Sequence, residues 1–251
     1  MIGAIRSWRL ERNDRRQVFA ATDDLTVYAE SNGAVTSRHA HPAWKLVLCP
    51  RSLTDYRQRG RPTLWAPGVV VPPEHVHAGG ATSSYVVAYL DPWRVALPPS
   101  VGPLLLDEPT VARLLAALAL DVTGDLEGDV DLTAARRALD PVLGAPPPID
   151  PRVSHALAGL AGADRLDVLA SEVGLSPPRL RWLVRDTVGI PLGRLRQWSR
   201  LRAAVAALDE GPLATAAQVG GFADQAHLTR TARRMVGRTP GTLAGTGVSV
   251  A

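Results

Sequence analysis

The sequence predicts an α+β protein with more than one domain. It has an N-terminal antiparallel β-barrel, helices behind it, and an all-α C-terminal domain built from two helix-turn-helix units. Three observations carry this. In the first hundred residues, short β-rich runs recur at 25–29, 44–49, 63–66, 69–71 and 85–90, punctuated by Gly33, Gly60, Pro67-Gly68, Pro72-Pro73 and Gly79-Gly80. Short strands at such spacing make a sandwich or barrel. From 110 to 140 apolar residues fall at helical spacing. From 166 to 243 one pattern occurs twice. The expected division is 1–100 for the barrel, 101–143 for a helical pair, 144–151 for a linker and 152–251 for the C-terminal domain.

Composition excludes several classes. The chain has 251 residues, 46% of them hydrophobic, enough for real cores in one or two domains. A single cysteine, Cys49, excludes an intrachain disulfide, suits a reducing cytoplasm and reads as a small buried residue on a strand. Residues 1–17 carry charges without a following apolar core, so no secretory signal is read there. The longest apolar run, 114–120, is too short to cross a bilayer, and no membrane partner is expected. Charge is uneven. Residues 151–251 hold 13 Arg against 7 acids, net +6, while the first 150 hold 15 basic against 17 acidic groups, net −2. The basic excess thus lies where phosphates would be met.

In the barrel, an antiparallel jelly-roll arrangement would avoid open edges. Strand alternation puts His39 and His41 on one face, and likewise His75 and His77. Gly33 followed by His39-Ala40-His41, then Pro72-Pro73-Glu74-His75-Val76-His77, resembles the two motifs of a cupin barrel. That resemblance implies a divalent transition metal (zinc, nickel or iron) on His39, His41 and His77. Two departures weigh against it: Lys45 sits near the place of the family's Glu ligand, and Glu74 replaces a Gly. The alternatives are simply satisfied barrel histidines, or a metal-free pocket for a small molecule, for which Tyr28, Trp44, Lys45, Trp65, His75, Tyr85 and Tyr89 are the candidate lining.

Residues 110–140 read as two helices separated by a break at Gly124. Val111, Leu114, Leu115 and Leu118 make one apolar face, and Leu132, Ala135, Leu139 and Val142 the other. The stretch between is acidic: Asp121, Asp125, Glu127, Asp129 and Asp131. These faces either pair two subunits into a homodimer or pack on the chain's own barrel. Pro146-Pro147-Pro148 then stiffens a linker.

The duplicated pattern places Ala170 before Gly174, Leu175 and Ser176, and Ala216 before Gly220, Gly221, Phe222 and Asp224. Small Ala lets helices cross closely, Gly permits a tight turn, and Ser176 and Asp224 suit helix N-caps. In the helix after Ser176, Leu180, Leu183, Val184 and Val188 form the inner side. Pro178, Arg179, Arg181, Trp182 and Arg185 are left for contact. In the helix after Asp224, Leu228, Ala232 and Met235 face inward, leaving Gln225, Ala226, Thr229, Arg230 and Arg233. A major groove admits such a helix, and Arg binds guanine bidentately there. A helix over 191–209, with Leu195, Trp198, Leu201, Val205 and Leu208 buried, joins the two units. Its roughly 22 Å length, with the flanking helices, approaches the roughly 34 Å between successive grooves.

Ala170-x-x-x-Gly174-Leu175-Ser176, Gly189, Arg200-Leu201-x-x-Ala204 and the run from Gly221 through Arg230 to Gly237-x-x-Pro240 closely resemble the AraC family of transcriptional regulators. Val184 and Ala232 depart from the family's Phe, and Ala226 offers a base only an apolar touch. The resemblance implies a cytoplasmic, non-enzymatic regulator. It would bind double-stranded DNA, respond to a small-molecule or metal effector through its barrel, and work with RNA polymerase. The alternative reading is a metal-dependent cupin enzyme, a dioxygenase or isomerase, with an attached DNA-binding domain.

Overall fold

The structure is a computed structural model, and it describes residues 6–12, 14–98, 100–122, 126–146, 148–161 and 165–243. Gly124, Asp125 and Pro147 lie outside these. The N-terminal strands are β1 (Arg6–Arg12), β2 (Arg15–Ala21), β3 (Leu25–His39), β4 (Trp44–Leu48), β5 (Thr54–Arg57), β6 (Leu64–Ala66), β7 (Gly68–Val71), β8 (His77–Leu90) and β9 (Leu104–Leu106). All pair antiparallel in the order β1-β2-β3-β8-β4-β7-β9, with β5 pairing both β8 and β6. The long strands β3 and β8 pair along most of their lengths. β8 then gives its second half to β4 and its first half to β5. The register of β3 slips between Thr36 and His39, which sets His39 opposite His77.

The strand order begins at β1 and ends at β9, so strand pairing makes an open antiparallel sheet where the sequence suggested a closed barrel. Both faces are covered. Val18, Ala20, Val27, Ala29, Trp44, Leu46, Leu48, Val86 and Ala88 belong to one core. Their alternate neighbours Phe19, Ala21, Tyr28, Val47, Cys49, Tyr85 and Val87 belong to the other. A sheet buried on both sides needs apolar residues at successive positions, which is why these strands read as continuous apolar runs.

The first core is closed by α1 (Glu108–Ala117) and α2 (Leu132–Leu143), capped by Asp107 and Asp131. Val111, Leu114, Leu118, Leu132, Ala135, Leu139 and Leu143 are all buried in it. The apolar faces that could have paired two subunits are therefore spent on the chain's own sheet, leaving polar surface such as Arg113 and Arg137 outside.

The second core is closed by C-terminal helices. These are α3 (Pro151–Ala158), α4 (Leu166–Glu172), α5 (Pro177–Val188), α6 (Leu192–Ala206), α7 (Leu213–Val219), α8 (Gln225–Val236) and α9 (Pro240–Leu243). α6 lies on β1 and β2, and α8 on β3. Trp198, Leu201, Leu228 and Met235 are continuous with the sheet's inner residues. α3 to α5 and the start of α6 have a separate core around Val153, Ala170, Leu180, Val184 and Leu195.

Polar contacts reinforce the seam. Arg194 Nε donates to Glu74 Oε1 at 3.0 Å, Arg202 Nη1 to Asp91 Oδ2 at 3.2 Å, and Trp8 Nε1 to the Val205 carbonyl at 3.0 Å. Backbone bonds run from Ser37 N–H to Gly237 O and from Ala40 N–H to Arg234 O. Gly237 is required twice over. Its φ of +74° ends α8, and a Cβ there would lie 2.6 Å from His39 Nδ1. Deepest in the seam, Arg238 Nη1 donates to Glu30 Oε2 and Tyr85 Oη, both at 2.6 Å, while Arg15 and the Tyr28 and Tyr85 hydroxyls also bond to Glu30.

Candidate nucleic-acid interface and effector pocket

The two helix-turn-helix units form as their turns dictate. Gly174 and Gly221 adopt φ of +66° and +65° between the paired helices, and Gly189 and Gly237 end α5 and α8 in the left-handed region. Ser176 Oγ accepts from Arg179 N–H, with Pro177 at the first helical position. Asp224 Oδ1 accepts from His227 N–H at 2.6 Å. Gly220 is held by space: a Cβ would lie 2.7 Å from both Ala204 Cβ and Arg200 O, so α7 seats against α6 only without a side chain there.

These turns leave the expected faces in solvent. Pro178, Arg179, Arg181, Trp182 and Arg185 are all exposed on α5, over buried Leu180, Val184 and Val188. The Arg179 guanidinium lies 4.2 Å over the Trp182 ring, and the indole stays 50% exposed, an unusual state for a tryptophan with no partner covering it. On α8, Gln225, Ala226, Arg230 and Arg233 are exposed and Thr229 half-buried, over buried Leu228, Ala232 and Met235.

The sheet's inner face holds the second constellation. His39, His41 and His77 are buried, with ring nitrogens within 4.8 Å of one another. Each Nδ1 meets a backbone carbonyl: Ser37 O at 2.7 Å, Ala43 O at 2.7 Å and His75 O at 2.9 Å. A carbonyl only accepts, so each ring carries its proton on Nδ1 and turns a lone pair at Nε2 inward. Lys45 Nζ lies 3.2 Å from His39 Nε2 and 3.4 Å from His77 Nε2. Burial, then the Lys45 charge, lowers His39 to about 2, and burial, then Lys45, lowers His77 to about 3. Both stay neutral. Burial and the charge of Arg238 bring Lys45 down to about 7.

The donor set is that of a metal site, but the residues do not fit a divalent ion as they stand. The Lys45 amine draws on the lone pairs of two would-be ligands, and when protonated it repels a cation at that point. Lys45→Ala should therefore create zinc uptake of about one ion per chain in equilibrium dialysis, a site of three imidazoles, where the unaltered chain takes up none. Uptake of zinc by the unaltered chain through these histidines would contradict this.

Two small cavities adjoin Lys45. One, of about 70 Å³, lies between sheet and helices, lined by Phe19, Tyr28, Lys45, Tyr85 and Tyr89 on one side and by Trp198, Leu201, Val205, Val236 and Arg238 on the other. The second, of about 40 Å³, runs past Tyr56 and His77. Of the expected lining, Tyr28, Lys45, Tyr85 and Tyr89 are brought together. Trp44 is not: as the neighbour of Lys45 on a strand it points to the opposite core, with α1 and α2. Trp65 is 57% exposed on the short strand β6, and His75 precedes β8 outside both cavities. Trp198, Val236 and Arg238 were missed as lining because they stand some 110–220 positions from the barrel residues they meet. Cys49 is buried and pushed up to about 12 by burial, as an inert strand-end residue should be.

Comparison with known proteins agrees with this geometry. Residues 169–245 match the model of a helix-turn-helix domain. No curated protein sequence matches the chain. Among solved structures, ToxT from Vibrio cholerae is similar in fold, with a TM-score of 0.52, 8% identity, and coverage of 90% of this chain and 98% of that one. Unsaturated fatty acid-bound ToxT from Vibrio cholerae strain SCE256 gives a TM-score of 0.50 at 10% identity, covering 100% of this chain and 98% of that one. The C-terminal domain of AraT, a response regulator from Geobacillus stearothermophilus, matches 41% of this chain and 92% of its own at 21% identity, with a TM-score of 0.37. Among the described residues no helix is long and apolar enough to cross a membrane.

Proposed function

We propose that this chain, whose residues 169–245 match a helix-turn-helix domain, is a DNA-binding transcription regulator of the AraC type, sequence-specific and controlled by a small molecule held between sheet and helices. The observation that carries the first part is the paired exposure of Arg181 and Arg185 on α5 and of Arg230 and Arg233 on α8, each over a packed inner face. Phosphate contacts would supply affinity, and these side chains would discriminate bases.

The cavity supports the second part. Its wall is mostly apolar with three cationic groups, of which Arg202 is paired with Asp91 and Lys45 has no acidic partner among the described residues, so it suits an apolar body with an acidic head. Arg238, the third, is committed to Glu30, Tyr85 and Thr242. ToxT is described with an unsaturated fatty acid bound. A drug-sized ligand needs roughly 300–1,000 Å³, against the 70 Å³ present. Binding must therefore displace α6 and α8 from the sheet, and a ligand that binds the displaced arrangement better shifts the population toward it. A long-chain unsaturated fatty acid should quench or shift Trp198 fluorescence and change affinity for DNA, and Lys45→Met should weaken both effects about tenfold. No change in either property with the unaltered chain would remove this effector class.

Lys45 among the histidines weighs against the metal-dependent enzyme and against a metal ion as the signal. Subunit pairing through residues 110–140 would have to use the polar outer faces of α1 and α2. Contact with RNA polymerase would be the route to activation.

A further inference from the structure

Resting on the DNA-binding reading, we infer that the sensor half touches the duplex as well: Arg38 of β3 extends the α8 interface onto the DNA phosphate backbone. Arg38 lies between the two backbone bonds that tie β3 to the end of α8, Ser37 N–H to Gly237 O at 3.0 Å and Ala40 N–H to Arg234 O at 3.1 Å. It is exposed and makes no side-chain hydrogen bond or ion pair with any described residue. Arg234, in the adjoining turn of α8, is exposed as well. Glu74, an acid at the same end of the sheet, is taken by Arg194. β3 and the end of α8 thus each bring an exposed arginine to this seam, and neither is in an ion pair among the described residues.

Its position relative to a groove follows from lengths. α8 has 12 residues, roughly 18 Å at 1.5 Å each, while the major groove is about 12 Å wide. With the N-terminal turn of α8 seated among bases, its C-terminal turn lies over a phosphate strand, and Arg38 runs beside that turn. A guanidinium there meets phosphate oxygens by charge-assisted bonds that carry no sequence preference. The contact exists only while the helices are docked on the sheet, so phosphate affinity and docking are coupled.

The test uses the full chain and a mixed-sequence duplex, since phosphate contacts do not require the operator. Each phosphate neutralised contributes about 0.9 to the slope of log affinity against log salt. Arg38→Ala should flatten that slope by about one, and Arg38→Lys should restore it. Arg51→Ala is the control for net charge. Arg51 is exposed beside Ser52, which bonds Ser83 opposite Asn32, five residues up β3 from Ser37 and roughly 16 Å away. It should leave the slope unchanged. An unchanged slope in Arg38→Ala, or equal flattening in Arg38→Ala and Arg51→Ala, would overturn the inference. Should the unaltered chain show no salt-dependent binding to any duplex, the DNA-binding reading itself falls.

Discussion

Replacing Glu30 by Ala is expected to lower the midpoint of thermal unfolding by roughly 10 °C. Glu30 is fully buried and accepts from Arg238, Tyr28, Tyr85 and Arg15. Its removal leaves the Arg238 guanidinium, itself 8% exposed, as a buried charge without its carboxylate. Breaking one side of a buried pair costs about 3–5 kcal/mol, and in a chain of this size each kcal/mol moves the midpoint about 2–4 °C. The pair itself adds less than this loss suggests, because desolvating both charges offsets their attraction. The double variant Glu30→Met with Arg238→Met, which buries no charge, should recover most of the loss. Differential scanning calorimetry of the three chains checks this. A Glu30→Ala midpoint within about 2 °C of the unaltered chain would show that sheet and helices are not held together here.

Arg230→Ala should weaken binding to the preferred site roughly 5- to 150-fold, the equivalent of about 1–3 kcal/mol for one good base contact. It should relax preference at one base-pair position only. Arg230 is exposed on the outer stripe of α8 and ties to nothing else among the described residues, so the change should leave stability untouched. Affinities for a set of single-base site variants make the measurement. Weakening by the same factor on every sequence would instead make Arg230 a phosphate contact.

Much of the exposed face of α5 and α8 was legible because it depends on local rules. Ser176 and Asp224 cap, Gly174 and Gly221 turn, and the helical period sorts Leu180 from Arg181 and Leu228 from Arg230. The histidine cluster was legible as well, since alternation puts His39 and His41 on one face and the later motif supplies His77. What escaped was whatever depends on partners distant in sequence. β1, β2 and β5 pass as charged or mixed stretches, because Arg6, Arg9 and Arg57 alternate with residues that only pairing buries. With both faces of the sheet covered, the apolar-polar alternation that would have put Trp44 and Lys45 on opposite sides is lost. Arg194, Arg202 and Arg238 look like three more members of a basic domain. Only the fold sets them against Glu74, Asp91 and Glu30. The same fold spends the apolar sides of α1 and α2 on the sheet, a choice that their spacing left open.

The most direct measurement is selection of bound duplexes from a random pool, with the unaltered chain beside Arg185→Ala and Arg230→Ala. If α5 and α8 of one chain enter successive major grooves, the selected sites will contain two short blocks about one helical turn apart, roughly 10 base pairs centre to centre. Arg185→Ala will then erase one block and Arg230→Ala the other. A single block lost equally in both variants, or no enriched sequence at all, would contradict it.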